Sequence, residues 1–518
     1  FPFESGMTDL NEMLAQAVGA LQQSRIDAAM PMLDAVLAQA PDHPQANAIK
    51  GTISLLHGDV ARALGHFRKA AEAHADDPAF NQNYATALLS AGDAPSAEHR
   101  ARRALAAQPN NMAVKQLLAR CLCAQSRDAE AVPLLQQVVD EQPSLPAFNE
   151  LGLALMELNR PGEAEDAFAR ATEINPDISA PWHNRGNAAL DQHHPEDAIA
   201  AFDQAIGLMP DHAPSHVHRA QALLLSGRYK EGWEAYEARW ALPDPLTLRE
   251  GLTTPLWDGA PFAGRLLVYA EQGYGDSLQF ARFLPVAAER CGTVTLDVPP
   301  PLHRLFASQG GGYNVTRQDM PLPDHDRRIP MMSLPRVLGI TLENLPSPEA
   351  YLQPPDDIGV WRDRLADLRG LKVGLTWRAF AESRGSTHRS APLEALAPLF
   401  KVPDIAWASL QKETPQSDLP LPTNMRDMSP FLNDFADTAS LIAQLDLVIT
   451  VDTAVAHLAG ALGRPVWVML PHGGDWRWLM ARSDSPWYRR ARLYRQDGKR
   501  TWTPVVDAMA RDLAQFRP

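Results

Sequence analysis

Along the first half of the chain, small and bulky positions recur with a fixed period. A small residue stands at Ala17, Gly51, Ala85, Ala119, Gly152, Gly186 and Ala220, each 34 or 33 residues after the last. Twelve residues behind it runs a second small series: Ala29, Ala63, Ala97, Ala131, Ala164, Ala198 and Gly232. Four further on comes a mostly bulky position, held by Leu33, Phe67, Ala101, Leu135, Phe168, Phe202 and Tyr236. Proline follows at Pro41, Pro109, Pro143, Pro176, Pro210 and Pro243, with Ala75 in the one vacant slot. Antiparallel helices pack closely where side chains are small, a bulky residue fills the gap between layers, and proline stops the second helix. The pattern predicts an α-solenoid of seven helical hairpins over residues 10–244.

After Asp244 the period is lost. Residues 245–262 read as a linker, and from there short apolar runs alternate with helical segments. Leu266 to Ala270, Val294 to Val298, Lys372 to Trp377, Ile405 to Leu410, Leu447 to Val451 and Val466 to Leu470 read as strands. Gln279 to Arg290 and Thr453 to Leu462 read as helices. Alternation of this kind predicts parallel sheets covered by helices, in two lobes spanning 263–355 and 356–518. A ligand then belongs where strands end and helices begin.

Composition narrows the class. The chain has 48 basic and 62 acidic residues and a net charge of -14, which disfavours a nucleic-acid or anionic-membrane binder. Three cysteines, Cys121, Cys123 and Cys291, are too few for a disulfide framework and suit a reducing compartment. No apolar run reaches the ~20 residues that span a bilayer. Phe1 to Gly6 precede Met7 and read as residues added ahead of the natural start, so 1–9 is set aside as a leader. The expectation is a soluble, cytoplasmic protein without a transmembrane segment.

Two strand-to-helix turns carry candidate chemistry. In Glu271-Gln272-Gly273-Tyr274-Gly275-Asp276 the glycines permit a tight turn and place Asp276 at a helix N-terminus. There it serves either as an N-cap or as a general base. In the second, Asp452-Thr453 leads from a strand into a helix whose N-terminal N–H groups suit a phosphate. His457 lies one turn further on the same face. Asp452 is read as capping or holding a sugar hydroxyl. Arg378, just past Trp377, is the first choice to neutralise a diphosphate, ahead of Arg384, Arg389 and Lys412. The basic segment from Arg477 to Arg500 reads as a solvated face. Asp324-His325-Asp326 follows a proline-rich loop and reads as a surface turn; no zinc spacing or Walker A pattern occurs.

The 34-residue units resemble the tetratricopeptide repeat, which implies a right-handed superhelix with a concave, protein-binding face. The repeat register places the amides of Asn83, Asn149, Asn184 and Asn187 on that face, where they can bond an extended acceptor backbone. The series is similar to the asparagine ladder of O-linked N-acetylglucosamine transferases, interrupted by Ile49, Leu117 and Glu150.

In the second half, Gly275-Asp276 followed by Leu284-Pro285, then Val373 to Trp377, then Asp452-Thr453 with His457 and Leu462 to Pro465, resemble the heptosyltransferase-like glycosyltransferases of family 9. That resemblance implies a GT-B fold of two Rossmann-like lobes, the first for acceptor and the second for the nucleotide sugar. It further implies inverting transfer without a metal, with no cofactor beyond the nucleotide-sugar co-substrate. Asp276 would be the base, and Asp452, Thr453 and His457 would contact the donor diphosphate, supported by Arg378 and Lys412. The first lobe is short for the family. Fusion to repeats resembles bacterial flagellin and other protein O-glycosyltransferases, which implies a Ser/Thr hydroxyl of a protein as acceptor. The competing reading is a repeat adaptor with a degenerate transferase half. The two differ in whether Asp276, Arg378, Thr453 and His457 border one cleft.

Overall fold

A computed structural model describes residues 3–242, 249–356, 358–379 and 389–518, with backbone alone for 3–9 and 358. Pro243, Asp244 and Arg384, singled out above, lie outside the described residues, as does the start of the linker. The chain divides into two compact units, Phe1–Asp177 and Ile178–Pro518. Among the described residues no helix is long and apolar enough to cross a membrane.

The first unit is a run of paired helices, from Phe3–Gln22 to Pro161–Ile174. The helices stop where prolines were expected to stop them: Ala94–Ala107 ends two residues before Pro109 and Asp128–Glu141 two before Pro143. Asp59, Asp77, Asp93 and Asn111 cap helix starts with side-chain oxygens. The small-bulky pairing is literal. A Cβ on Gly51 would lie 2.7 Å from the Phe67 ring, and one on Gly152 would lie 2.5 Å from Phe168.

One periodic feature escaped the sequence reading. The residue that turns the chain from the first helix of a pair to the second is left-handed at Ser24, Gly58, Gly92, Ser126, Asn159, His193 and Gly227, with φ between 58° and 84°. Glycine adopts this conformation freely; the others pay for it. The single 33-residue spacing is absorbed between Glu141 and Leu145, a gap one residue shorter than that between Ala107 and Met112.

The second unit opens with four more helices, Ser179–Asp191, Pro195–Leu208, Ala213–Leu225 and Tyr229–Tyr236. Two wholly parallel sheets follow. The first has the order β3-β2-β1-β4, built from β1 Phe262–Tyr269, β2 Cys291–Val298, β3 Asn314–Arg317 and β4 Arg327–Pro330. The second has the order β10-β9-β8-β5-β6-β7, with β5 Leu371–Thr376, β6 Ile405–Ser409, β7 Met425–Asp427, β8 Leu447–Val451, β9 Val466–Leu470 and β10 Ala491–Arg495.

Alternation sorts the central strands into two cores. Leu447, Ile449, Val451, Trp467 and Met469 face the C-terminal helix Thr503–Gln515 through Val506 and Met509. Val448, Val466, Val468 and Leu470 face the other way, toward Leu441, Leu458 and Ala459. Strands β3, β4, β7 and β10 were not expected; they are short or charged, and Arg327, Arg328 and Arg426 mask the apolar pattern. The helix expected over Gln279 to Arg290 is broken into Tyr274–Phe280, a 3-10 turn at Ala281–Phe283 and Leu284–Ala288, where Pro285 has no N–H to donate.

In both sheets the strand order reverses beside the first strand laid down, at β1/β4 and at β5/β8. A crevice opens past the strand ends at such a reversal. The two turns singled out from sequence leave the carboxyl ends of β1 and β8, and Arg378 leaves that of β5.

Candidate active site

Gly273 caps the helix Tyr274–Phe280 in extended backbone, and Asp276 occupies its third position instead of the cap itself. One oxygen of Asp276 accepts the Gly273 N–H at 3.0 Å. The other is ion-paired with Arg477. Arg477 is fully engaged: Nε–H donates to Gln279 Oε1 at 2.9 Å, and Nη1 donates to Asp475 at 2.8 Å. Its guanidinium carbon lies over the Trp476 ring, 4.2 Å from the ring centroid. The solvated-face reading therefore fails for Arg477, which is 11% exposed, and for Arg495, which donates to Leu479 O at 2.8 Å. Carboxylate and carbonyl partners pull both inward, whereas Arg489, Arg490 and Arg492 are exposed.

Thr453 starts the helix Ala454–Ala461 without capping it through its side chain, which leaves first-turn N–H groups for a ligand. Its hydroxyl lies 3.1 Å from that of Thr450. His457 is buried, with Nδ1 2.8 Å from the Tyr488 hydroxyl and its ring stacked on Trp478 at 5.4 Å. Burial holds its pKa well below the usual histidine range, and Arg477 and Arg282 push the same way. It is therefore neutral. Asp452 is also buried; desolvation, then the Asp475 charge, push its carboxyl up to about 6.

The two turns meet. A Cβ on Gly275 would stand 2.8 Å from His457 Cδ2, so only glycine allows the helices this close. Asp276, Arg378, Lys412, Asp452, Thr453 and His457 all line one cleft of about 1790 Å³. The asparagines do not line it. Asn83 and Asn149 lie on first helices of pairs in the first unit, and Asn184 and Asn187 in Ser179–Asp191 of the second, where the Asn187 amide is 3.1 Å from His183 Nε2.

Arg378 reaches the cleft already neutralised. Its guanidinium pairs with both oxygens of Asp418, a carboxylate 1% exposed that also accepts the Trp377 indole N–H at 2.8 Å. Lys412 is exposed and donates at 3.2 Å to the Asn433 carbonyl; among the described residues it makes no ion pair. Of the two cations lining the cleft, Lys412 therefore brings charge without an ion pair and Arg378 a guanidinium already paired with a carboxylate.

Asp475, Arg477, Gln411 and Tyr236 also line the cleft and were missed as site residues. A signal existed for two of them. Asp475 and Arg477 follow the end of β9, the same strand-end rule that singled out the other turns.

Tetratricopeptide repeat models match residues 14–78 and 183–243, 54–121 and 88–151, and 145–178. A glycosyltransferase family 9 (heptosyltransferase) model matches residues 432–468, the segment that contains Asp452, Thr453 and His457. The chain joins tetratricopeptide repeats to a family 9 glycosyltransferase domain. The Gly275-Asp276 and Val373 to Trp377 motifs fall outside the matched segment.

The chain is 28% identical over 442 residues to Protein FlbA of Caulobacter vibrioides, covering 79% of this chain and 74% of that one. It is 27% identical over 151 residues to Protein O-mannosyl-transferase TMTC1 of Mus musculus, covering 28% of this chain and 16% of that protein. Solved structures with likeness include YrrB, a TPR protein with an unusual peptide-binding site, at 21% identity and a TM-score of 0.31 over 35% of this chain and 95% of that one. PilF of Pseudomonas aeruginosa matches at 18% identity and 0.34, over 38% of this chain and 87% of that one.

Proposed function

We propose that this protein is an inverting, metal-independent glycosyltransferase of GT-B architecture, fed by a nucleotide sugar and acting on Ser/Thr hydroxyls of a protein acceptor bound by seven repeats. The observation that carries the reading is the convergence of Asp276, Lys412, Thr453 and His457 on one cleft at paired strand reversals. The name of the TMTC1 relative supports a protein hydroxyl as acceptor; flagellin is the acceptor suggested by the resemblance to flagellin glycosyltransferases. The repeat amides of Asn83, Asn149, Asn184 and Asn187 would hold the polypeptide. The domain limits proposed are 10–244, 263–355 and 356–518.

In the reaction, Asp276 accepts the acceptor proton as the hydroxyl oxygen bonds to C1 of the sugar and the C1–phosphate oxygen bond breaks. Arg477 and the Gly273 N–H fix both carboxylate oxygens, so the base is held in place before substrate arrives. The departing phosphate meets the open N-terminus past Thr453, with the Lys412 charge beside it. Neutral His457, with Nδ1 engaged by Tyr488, offers Nε2 to the same ligand.

The experiment is a thermal-shift screen against UDP, GDP, ADP, CMP and their sugars, followed by turnover of the nucleotide sugar selected, with and without EDTA. One nucleotide should raise the melting temperature. Asp276→Ala should then lower nucleotide release at least a hundredfold while keeping that shift. Wild-type turnover by Asp276→Ala would remove Asp276 as base. No response to any nucleotide would favour the adaptor reading.

A further inference from the structure

The last repeat helix, Tyr229–Tyr236, places Tyr229, Trp233 and Tyr236 on one face at i, i+4 and i+7, and all three are buried. The Tyr229 hydroxyl accepts the Trp487 indole N–H at 3.0 Å. Trp233 meets Phe280 edge-on at 5.9 Å and Trp476 at 5.2 Å. One side chain thus touches both the helix that carries Asp276 and the residue before Arg477. The Tyr236 hydroxyl accepts the Gln272 amide N–H at 3.2 Å and lines the cleft.

The 3-10 turn that follows, Glu237–Ala241, adds Arg239, which is 1% exposed. Its Nη2 donates to Glu271 Oε1 at 3.1 Å and to Ser333 Oγ at 2.7 Å, and its Nη1 donates to Glu237 at 2.7 Å. Glu271 Oε1 also accepts the Met332 N–H at 3.2 Å. A buried arginine needs a partner of this kind, because removing the partner leaves an uncompensated charge. Here the partner is the first residue of the turn that ends in Asp276.

We infer that the terminal repeat segment is a positioning element of the cleft, with Tyr236 and Arg239 fixing the Glu271–Asp276 turn from behind. Neither touches the reacting atoms; both act through Gln272 and Glu271. The repeats then do more than recruit an acceptor, since their last helix is a wall of the site. The activity arm of the test rests on Asp276 as base; the exchange arm does not.

The test uses the full chain with Tyr236→Phe, Arg239→Lys and, as control, Glu234→Ala, an exposed change on the same helix. Amide hydrogen exchange is followed at residues 273–280 and in β8 and β9. In the first two variants, exchange at 273–280 should rise about tenfold while β8 and β9 keep wild-type protection. With the nucleotide sugar selected above, kcat should fall several-fold with little change in KM, and Glu234→Ala should match wild type. Wild-type exchange at 273–280 in both variants, or an equal rise throughout the second unit, overturns the inference. A local rise together with full turnover by Asp276→Ala would uphold it and reject the base instead.

Discussion

Asp452 stands at the end of β8 with its carboxyl buried and pushed up to about 6, first by desolvation and then by Asp475. A group with a raised folded pKa contributes stability below its ordinary value of 3.8, and that contribution is lost as pH rises through about 6. Asp452→Asn removes the titration. Its melting temperature should therefore fall less than that of wild type between about pH 4 and pH 7, as scanning fluorimetry across buffers would show; parallel curves would mean the charge is compensated elsewhere. Thr453 and His457 were legible in the sequence because a strand end followed by a helix start advertises itself. Arg477 was not, because an arginine is exposed in most settings and only the fold shows Asp276 and Asp475 on either side of it.

At the level of elements, each helix pair is set by what faces its small residue. Gly152 opposes Phe168, and Ala119 stands where the equivalent bulky residue is Leu135. Gly152→Ala drives a methyl into the Phe168 ring and should cost about 1–3 kcal/mol, read from denaturant unfolding of the full chain. Phe168→Leu on top of it copies the Ala119/Leu135 pair and should restore most of the loss; an additive penalty would show that the two sites are not coupled. The repeat helices were readable because this pairing recurs at a fixed spacing. The four missed strands were not: a strand of three to five residues carrying arginines has too few apolar positions to alternate.

For the whole molecule, alternation of strands and helices indicated parallel sheets, but not that the last repeat shares a core with them. Val217, Leu224, Trp233 and Tyr236 belong to the same apolar cluster as Leu266, Leu296 and Leu458. A chain begun at Ile178 should therefore fold and keep its nucleotide response, whereas one begun at Gly251 should aggregate or melt without a cooperative transition. Equal behaviour of the two in light scattering and calorimetry would show that the sheets do not need that helix. His193 belongs to the same junction. It holds a left-handed backbone where glycine stands in three of the other repeats, and its Nε2 accepts the Gly474 N–H at 2.8 Å, one residue before Asp475. To a designer averaging the repeats, that histidine is an error to be corrected to glycine. Correcting it would relax the turn and remove the hydrogen bond that holds the loop carrying Asp475 and Arg477, so here the repeat consensus and the cleft ask for different residues.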